Sequence, residues 1–343
     1  MLATTALTPI SPPPTTAQPE WLNGLLDEIY AGSDRVPPSL WEAALAGPLR
    51  EFLSRPGKRF RGQLTRLAWA LADRRDQPPP ALEAVVELLH AGSLIVDDIE
   101  DDSIQRRGRA ALHRLVGLPV ALNAGNWLYF RALSLLQTLS LPPAAELELH
   151  RRANAAVLQC HEGQALDLTA QVGELHPRDL GVVVRAISEW KTGSLMGLAA
   201  ALGAVAAAAP ARLVDAVCDY GVRLGVALQM QNDLSELTGA AGPLKHPEDL
   251  LHGRVTWPWA WAAQRLPGAA FDALQARGAR LTQGTGDAAA LARDLLAALG
   301  DDPQRPVRQW LAEAMADLRA VVGDHPALVA FNQEIERLVH RYA

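Results

Sequence analysis

The sequence predicts an all-α protein, folded as a single-domain helical bundle. Alanine and leucine dominate its 343 residues, aromatic residues make up only 5%, and alternating β-branched runs are scarce, which favours helices over strands. A chain of this length is also compatible with two domains. Because the helical composition continues along the chain and no internal repeat stands out, we expect one domain over residues 20–343.

The chain begins with residues 1–19, a stretch rich in Pro, Thr and Ala that we expect to be a disordered tail. It has neither the basic start nor the apolar core of a signal peptide. Trp21–Ile29 then forms a short amphipathic helix. A second helix is predicted to begin near Ser39, where Glu42 completes a capping box.

Basic residues follow the next break in the chain, at Pro56 and Gly57. This break leaves Lys58, Arg59 and Arg61 at the start of a new helix. A helix N-terminus with basic side chains beside it is an anion site. A solvated basic turn is an equal alternative for this stretch alone.

Acidic residues crowd the end of the helix that Pro78–Pro80 open. Asp97 and Asp101 lie one helical turn apart on one face, with Asp98 beside them. Carboxylates at the end of a core-like helix need a cation, and hard oxygen ligands without cysteine suit magnesium. A solvated, ion-paired helix end is the alternative.

Two adjacent arginines, Arg106 and Arg107, follow these acids. Their guanidinium groups match phosphate oxygens in bidentate fashion. They can therefore bind the same phosphate group that the metal binds. His90 lies about two turns before the acids, and taken alone it is compatible with a structural core histidine.

A lysine followed directly by an apolar run marks the middle of the chain. After helices at Val120–Leu136 and His150–Gln171, the next helix reaches Lys191 and Thr192. A buried lysine without an anion would be costly, so a phosphate group is a plausible partner. An exposed base at a helix end is the alternative.

A second polar cluster, Gln229–Glu236, closes another apolar helix. Asn232, Asp233 and Glu236 can share one face, as the first acids do. Two such clusters facing each other across a bundle could hold several magnesium ions. The basic residues, which include Lys245 and Arg254, are numerous enough to bind two polyphosphate ligands. The apolar interior behind the acids suggests a substrate with a hydrocarbon tail.

Composition excludes several other classes of protein. A net charge of −6 and a pI near 5.9 argue against nucleic-acid binding. The longest apolar run, Leu195–Ala209, is too short to span a bilayer. The two cysteines, Cys160 and Cys218, fit a reduced cytoplasmic protein, and the missing Gly-rich phosphate loop weakens the case for a nucleotide.

From about Trp21 onward the chain resembles the trans-isoprenyl diphosphate synthases, also called polyprenyl synthetases. The matching motifs, in the family's order, are GKRFR at Gly57–Arg61, DDIED at Asp97–Asp101, RRG at Arg106–Gly108, GQALD at Gly163–Asp167, KTG at Lys191–Gly193 and the second acidic region at Asn232–Glu236. The resemblance implies an all-α fold of the isoprenoid synthase type, a homodimer, and condensation of isopentenyl diphosphate with an allylic diphosphate.

The resemblance also implies three groups of site residues. Isopentenyl diphosphate would be held by Lys58, Arg61, His90 and Arg107. The allylic diphosphate would be held by Arg106, Lys191, Lys245 and Arg254, and through three magnesium ions by Asp97, Asp98, Asp101, Asn232, Asp233 and Glu236. Catalytic residues would be Lys191, Thr192 and Gln229, of which Thr192 and Gln229 would line the reacting carbons.

The sequence departs from the family at Asn232, where the second motif normally begins with Asp. We expect a weaker metal site there, because an amide oxygen brings no charge. Arg254 replaces the commoner Lys and keeps its charge. Ahead of the first motif lie Gly92 and Ser93, whose small side chains should leave the tunnel for the growing chain open, so we expect a product longer than farnesyl diphosphate.

Two alternative functions remain open on the same fold. A class I terpene cyclase also has an Asn at its second metal site, but its pattern needs Ser or Thr at position 236 and Glu at position 240, where this chain has Glu236 and Ala240. A non-catalytic regulatory subunit of a hetero-oligomeric synthase could lose four residues without consequence, yet this chain keeps all of them: Asp97, Asp101, Arg106 and Lys191.

Overall fold

The computed structural model describes residues 20–31, 36–57, 59–238, 248–329 and 331–333, so the tail at 1–19 lies outside the described residues. The all-α prediction is confirmed, since the described chain is helical apart from loops, one short hairpin and an isolated bridge. It forms two compact units: one contains the residues up to Gln63 and Pro78–His150, the other Leu64–Gln77 and the residues from Arg151 onward.

The first unit is built around two long helices. Its elements are α1 (Glu20–Ala31), α2 (Pro38–Trp41), a π-helical turn π1 (Glu42–Ala46), α3 (Gly47–Leu53), the first turn of α4 (Phe60–Leu71), α5 (Pro80–Glu100), β1 (Gln105–Arg106), β2 (Arg109–Ala110), α6 (Leu112–Val116), α7 (Leu118–Leu136) and the start of α8 (Pro143–Thr169).

Helix α5 carries the first acid cluster and packs along α7. Leu89, Ile95 and Leu128 are fully buried in this unit. The two helices approach closely at Gly92, where an added methyl group would lie 2.9 Å from the carbonyl oxygen of Gly125. The buried face of α5 therefore fixes the position of the acids at its C-terminal end.

The second unit contains the rest of the helices. They are α9 (Leu180–Ile187), a π-helical turn π2 (Ser188–Gly193), α10 (Ser194–Ala206), α11 (Ala211–Thr238), α12 (Glu248–Leu251), α13 (Trp257–Arg265), α14 (Gly268–Thr282), α15 (Ala288–Ala298) and α16 (Arg305–Val322).

Small residues let α10 and π2 pack closely on α11, as the sequence predicts. A methyl group at Gly221 would lie 2.6 Å from the carbonyl oxygen of Met196, and one at Gly225 would lie 2.7 Å from the Cα of Gly193. Beside this crossing, buried Trp259 and Phe271 form part of the core. This packing holds π2, and Lys191 within it, against α11.

Several predicted element boundaries are corrected. The capping box at Ser39 is wrong: the helix starts at Pro38, and Pro37 at its N-cap makes no side-chain bond. Proline has a helical φ and needs no N–H partner in the first turn, so this start requires no polar cap. The helix predicted from His150 begins earlier, at Pro143, and ends at Thr169. None of the described helices is long and apolar enough to cross a membrane.

Candidate active site

The first acid cluster lies at the C-terminal end of α5. Asp101 ends the helix, and its backbone amide donates to the carbonyl oxygen of Asp97 at 2.9 Å, which confirms the predicted one-turn spacing. The side chain of Asp97 is 18% exposed and that of Asp98 only 1%. Asp97 therefore reaches the surface of the unit, whereas Asp98 lies inside it.

Arg106 is paired with these acids. Its Nε donates to Oδ1 of Asp98 at 2.6 Å, and its Nη2 lies 3.1 Å from Oδ2 of Asp97. Burial raises the pKa of the Asp98 carboxyl, and the bond from Arg106 opposes that rise. Asp98 thus positions Arg106. The sequence around Asp98 does not predict this ion pair.

The acids fit magnesium on two observations. The second oxygen of Asp98, Oδ2, is buried and has no hydrogen-bond partner in the described part of the chain. The cluster offers only carboxylate oxygens, which magnesium prefers. No three acidic, His or Cys side chains among the described residues converge as a complete metal cage.

Arg107 occupies the tip of the hairpin β1–β2. Both residues of its two-residue turn have positive φ, 54° for Arg107 and 75° for Gly108, which is the type I′ geometry that suits a hairpin. Glycine adopts this conformation freely, but for Arg107 it costs roughly 1–2 kcal/mol. The strained backbone directs the guanidinium onto Gly57: a methyl group there would lie 3.1 Å from Nη1 of Arg107.

His90 lies beside this arginine. A shallow depression is lined by Gly57, Arg59, Glu87, His90 and Arg107. Burial, reinforced by the positive charges of Arg61 and Arg107, lowers the pKa of His90 well below its usual range. The imidazole is therefore neutral at pH 7 and can donate one hydrogen bond to an anion without adding charge.

The sequence-predicted residues Arg61, His90 and Arg107 lie near one another in the first unit, because the charges of both arginines lower the pKa of His90. Lys58 lies outside the described residues. Burial lowers the pKa of Arg107, yet the guanidinium stays charged because its usual pKa is above 12. The depression therefore has positive charge at its edge and a neutral donor inside.

In the second unit, Lys191 is held by an acid that the sequence reading did not assign. Its Nζ lies 2.6 Å from Oδ2 of Asp167, and the guanidinium of Arg254 donates to the backbone carbonyl of Asp167. Asp167 therefore brings together two predicted diphosphate ligands. The signal for it was present in the GQALD motif, whose last residue is Asp167.

The π-helical turn π2 places Lys191 and Thr192. Gly163 of α8 packs against this turn so closely that a methyl group on it would lie 2.4 Å from the backbone nitrogen of Lys191. Single π turns inside helices often occur at functional sites, because they re-aim side chains at the cost of regular hydrogen bonding.

A hydrogen-bonded chain connects Thr192 to the second acidic motif. The hydroxyl of Thr192 donates to Oε1 of Gln229 at 3.1 Å, and Nε2 of Gln229 donates to Oδ1 of Asp233 at 2.8 Å. The backbone amide of Trp257 donates to Oδ2 of Asp233 at 2.9 Å. Both oxygens of Asp233 thus accept hydrogen bonds from the protein.

The three residues of the second motif differ in their surroundings. Asn232 is exposed, Glu236 is half-buried and Asp233 is buried. Burial, together with the charge of Asp249, raises the pKa of Asp233 to about 8 and that of Glu236 to about 9. Glu236 also accepts the backbone amide of Asp249 at 2.7 Å.

Asp249 is a further acid of this motif that the sequence reading left without a role. Burial also raises its pKa. A cation would relieve the repulsion among these carboxyls, so the donor set fits magnesium here as well. Lys245 lies outside the described residues.

Comparisons with known proteins agree with this arrangement. The sequence profile of the polyprenyl synthetase family matches residues 42–290. A geranylgeranyl pyrophosphate synthase from Eremothecium gossypii is 31% identical over 233 residues, which cover 64% of this chain and 71% of that protein.

Solved structures share the fold over nearly the whole chain. A decaprenyl diphosphate synthase from Rhodobacter capsulatus has a TM-score of 0.75 at 23% identity, covering 94% of this chain and 95% of its own. A polyprenyl synthase from Caulobacter crescentus CB15, complexed with calcium and isoprenyl diphosphate, has a TM-score of 0.74 at 25% identity, covering 96% and 100%. The chain belongs to the polyprenyl synthetase family of trans-prenyltransferases.

Proposed function

We propose that this protein condenses isopentenyl diphosphate with an allylic diphosphate and releases a longer trans-polyprenyl diphosphate, of geranylgeranyl length or longer. The observation that carries the proposal is the depression of the first unit, where Arg107 lies over Gly57 beside the neutral His90. This anion site is distinct from the acids at the end of α5. An enzyme that only ionises one allylic diphosphate has no use for it.

Residues in and beside the depression bind the diphosphate of isopentenyl diphosphate. Arg107 and Arg61 supply positive charge to its oxygens, and His90 donates a hydrogen bond as a neutral ring. Lys58 adds a further positive charge from the same basic stretch. Because the strained turn already holds the arginine at the tip of the hairpin, little conformational freedom is lost on binding.

Arg106, Lys191, Lys245 and Arg254 bind the allylic diphosphate. Magnesium, held by Asp97, Asp98, Asp101, Asn232, Asp233 and Glu236, would stabilise negative charge on the departing diphosphate. The allylic carbon–oxygen bond breaks and its electron pair leaves with the diphosphate. The isopentenyl double bond then attacks the allylic cation, and the released diphosphate accepts the proton lost from the new chain.

Lys191 and Thr192 are held in fixed positions near the reacting carbons. Asp167 holds the Lys191 ammonium at 2.6 Å, so its charge is in place before a substrate arrives. The bond from Thr192 to Gln229 holds the two side chains together, and their oxygens would stabilise an allylic cation formed beside them. The three magnesium ions remain a prediction.

The proposed product length rests on the names of the relatives and on the small side chain of Ser93. Several relatives are geranylgeranyl pyrophosphate synthases, and one structural relative is a decaprenyl diphosphate synthase. The small residue Gly92 does not open a tunnel, because Gly125 and Tyr129 of α7 fill the space beside it. The half-buried Ser93 is therefore the position ahead of the acids at which a bulky side chain would limit the length of the product.

We also propose that the protein acts as a homodimer in the cytoplasm. Phe130 on α7 is 74% exposed, which suits a partner surface, and neither Cys160 nor Cys218 forms a disulfide, as expected in a reducing compartment. Light scattering of the purified protein tests the dimer: a mass of one chain at micromolar concentration would overturn it.

The test of function is incubation of the full chain with magnesium and farnesyl diphosphate, with and without labelled isopentenyl diphosphate. We expect longer diphosphates only when isopentenyl diphosphate is present. A hydrocarbon or alcohol formed without it would support the cyclase that Asn232 also suggests. No turnover in either reaction would favour the regulatory subunit.

A further inference from the structure

We propose that a buried ion pair, Glu51 with Arg55, is a positioning device that aims the diphosphate-binding arginine Arg107. The inference rests on the proposed function, because it assigns a role in binding isopentenyl diphosphate. Glu51 does not line the depression, and Arg55 lines it with a fully buried side chain whose nitrogens all donate to protein oxygens. They act through the backbone of the hairpin β1–β2, which carries Arg107 at its tip.

Arg55 binds both strands of this hairpin. Its Nη1 donates to the carbonyl oxygen of Arg106 at 3.0 Å, and its Nη2 donates to that of Ala110 at 2.7 Å. These carbonyls flank the turn that contains Arg107. One guanidinium therefore sets both strands at the base of the turn, since its planar fork fixes the two directions together.

Glu51 holds that guanidinium in place. Nη2 of Arg55 donates to Oε2 of Glu51 at 2.7 Å, and Nε donates to the same oxygen at 3.2 Å. The two side chains are 0% and 1% exposed. A second arginine of the hairpin, Arg109, lies 3.0 Å from Oε1 of Glu51. The carboxylate therefore connects α3 to the hairpin through two cations.

The pair also fixes the opposite wall of the depression. Arg55 precedes Gly57 by two residues, and the side chain of Arg107 lies over Gly57. The guanidinium of Arg55 lies 5.1 Å from the centre of the Phe52 ring, which closes the space beneath it. Both sides of the anion site, the turn at Gly57 and the tip of the hairpin, are thus attached to the same buried group.

A role in positioning explains why charges are buried here. A buried ion pair is weak support for stability, because apolar residues of similar volume often stabilise a fold as well or better. Apolar residues could not donate hydrogen bonds to the backbone carbonyls of Arg106 and Ala110. The strained conformation of Arg107 needs such support, since an unsupported turn would relax away from positive φ.

The experiment compares Arg55→Lys, the double variant Glu51→Met with Arg55→Met, and Arg107→Gln in the full chain. Arg50→Met is the matched control, because Arg50 lies on the same helix α3 and pairs with Glu42 in a partly exposed position. Melting temperature, kcat and the KM of each substrate are measured. Wild-type turnover establishes the proposed function separately, so an inactive wild type would refute that function rather than this inference.

We expect Arg55→Lys and the double variant to stay folded and to raise the KM for isopentenyl diphosphate roughly tenfold or more, because the site is misaligned. The KM for the allylic substrate should rise less, since Asp97 and Asp98 still hold the side chain of Arg106. Arg50→Met should leave both values within about twofold.

A coupling test separates positioning from mere stability. If Arg55 acts through Arg107, Arg55→Lys adds little to the KM increase once Arg107→Gln is present. Fully additive increases would overturn the inference. So would an unchanged KM for isopentenyl diphosphate in a folded Arg55→Lys protein, because a structural role alone predicts lower stability with normal binding.

Discussion

The ammonium group of Lys191 lies 2.6 Å from the carboxylate of Asp167, and both side chains are partly shielded from water, at 26% and 18% exposure. The pair crosses between two helical segments of the second unit, α8 and π2. A diphosphate that reaches Lys191 therefore meets a charge whose direction Asp167 has already set.

We expect Asp167→Asn to lower kcat roughly tenfold or more, since a misplaced charge contributes less to the departing diphosphate. Steady-state kinetics with both substrates measure the change. Asp215→Asn is the control, because Asp215 also pairs with a cation, Arg152 at 3.4 Å, but on an exposed surface. Equal kcat values for Asp167→Asn and the wild type would contradict a positioning role.

Gly163→Ala should damage activity through the backbone of Lys191. The new methyl group would lie 2.4 Å from that backbone nitrogen, and neither partner is a flexible side chain that could move away. We expect a loss of stability of about 1–3 kcal/mol and a fall in kcat of roughly a hundredfold. Gly268→Ala is the matched control, with no atom within 4 Å of its added carbon, and should change neither denaturant midpoint nor kcat appreciably.

The buried Asp233 should make the metal-free protein less stable as the pH rises. Its folded pKa of about 8 lies above the ordinary value of 3.8, so between these values the folded state holds a proton that the unfolded state has lost. Stability therefore falls with rising pH in this window, by on the order of 2–4 kcal/mol between pH 5 and pH 8. Urea unfolding of wild type and Asp233→Asn measures this, and identical pH slopes for the two proteins would refute it.

Asn232→Asp should strengthen magnesium binding at the second motif. Asn232 is exposed at the end of α11 and brings no charge, whereas a carboxylate would attract the cation. We expect half-maximal activity at a several-fold lower magnesium concentration. The measurement is a magnesium titration at saturating substrates. An unchanged midpoint would show that this position does not limit metal binding.

Ser93→Phe should shorten the product. Ser93 lies one turn ahead of Asp97 on α5 and is only half-buried, so an aromatic ring there can extend from the helix into the path that we propose for the growing chain. Chromatography of dephosphorylated products gives the length distribution. Gly92→Ala serves as a contrast: it should mainly lower the melting temperature, because its methyl group would lie 2.9 Å from the carbonyl oxygen of Gly125.

The acid cluster of α5 was predictable from sequence because helical spacing is local. Asp97 and Asp101 lie one turn apart wherever the helix lies, and the apolar residues before them show which face is buried. The same holds for the small residues of α10. The family motifs identified Lys191 and Thr192 as site residues. Their bonds to Asp167 and Gln229 follow from the packing of the helices.

The remaining features depend on contacts distant in sequence. Glu51 and Arg55 look like an ordinary surface pair at i and i+4, yet both are buried, and Arg55 donates to backbone carbonyls of a hairpin more than 50 residues away. That hairpin has strands of two residues, too short to give an alternating pattern. Likewise, the contact of Glu236 with Asp249 joins residues 13 positions apart, which no local rule anticipates.

The π-helical turn at Ser188–Gly193 has a consequence for how such chains diverge. Helices α9, π2 and α10 run on without interruption, so the turn amounts to one residue more than a regular helix of that length would contain. Point substitutions cannot create or remove that extra residue; only an insertion or deletion can. A relative lacking one residue here would have Lys191 and Thr192 turned by about a quarter of a revolution relative to α10. A single-residue gap at this place in an alignment would therefore mark lineages that have changed or lost the activity.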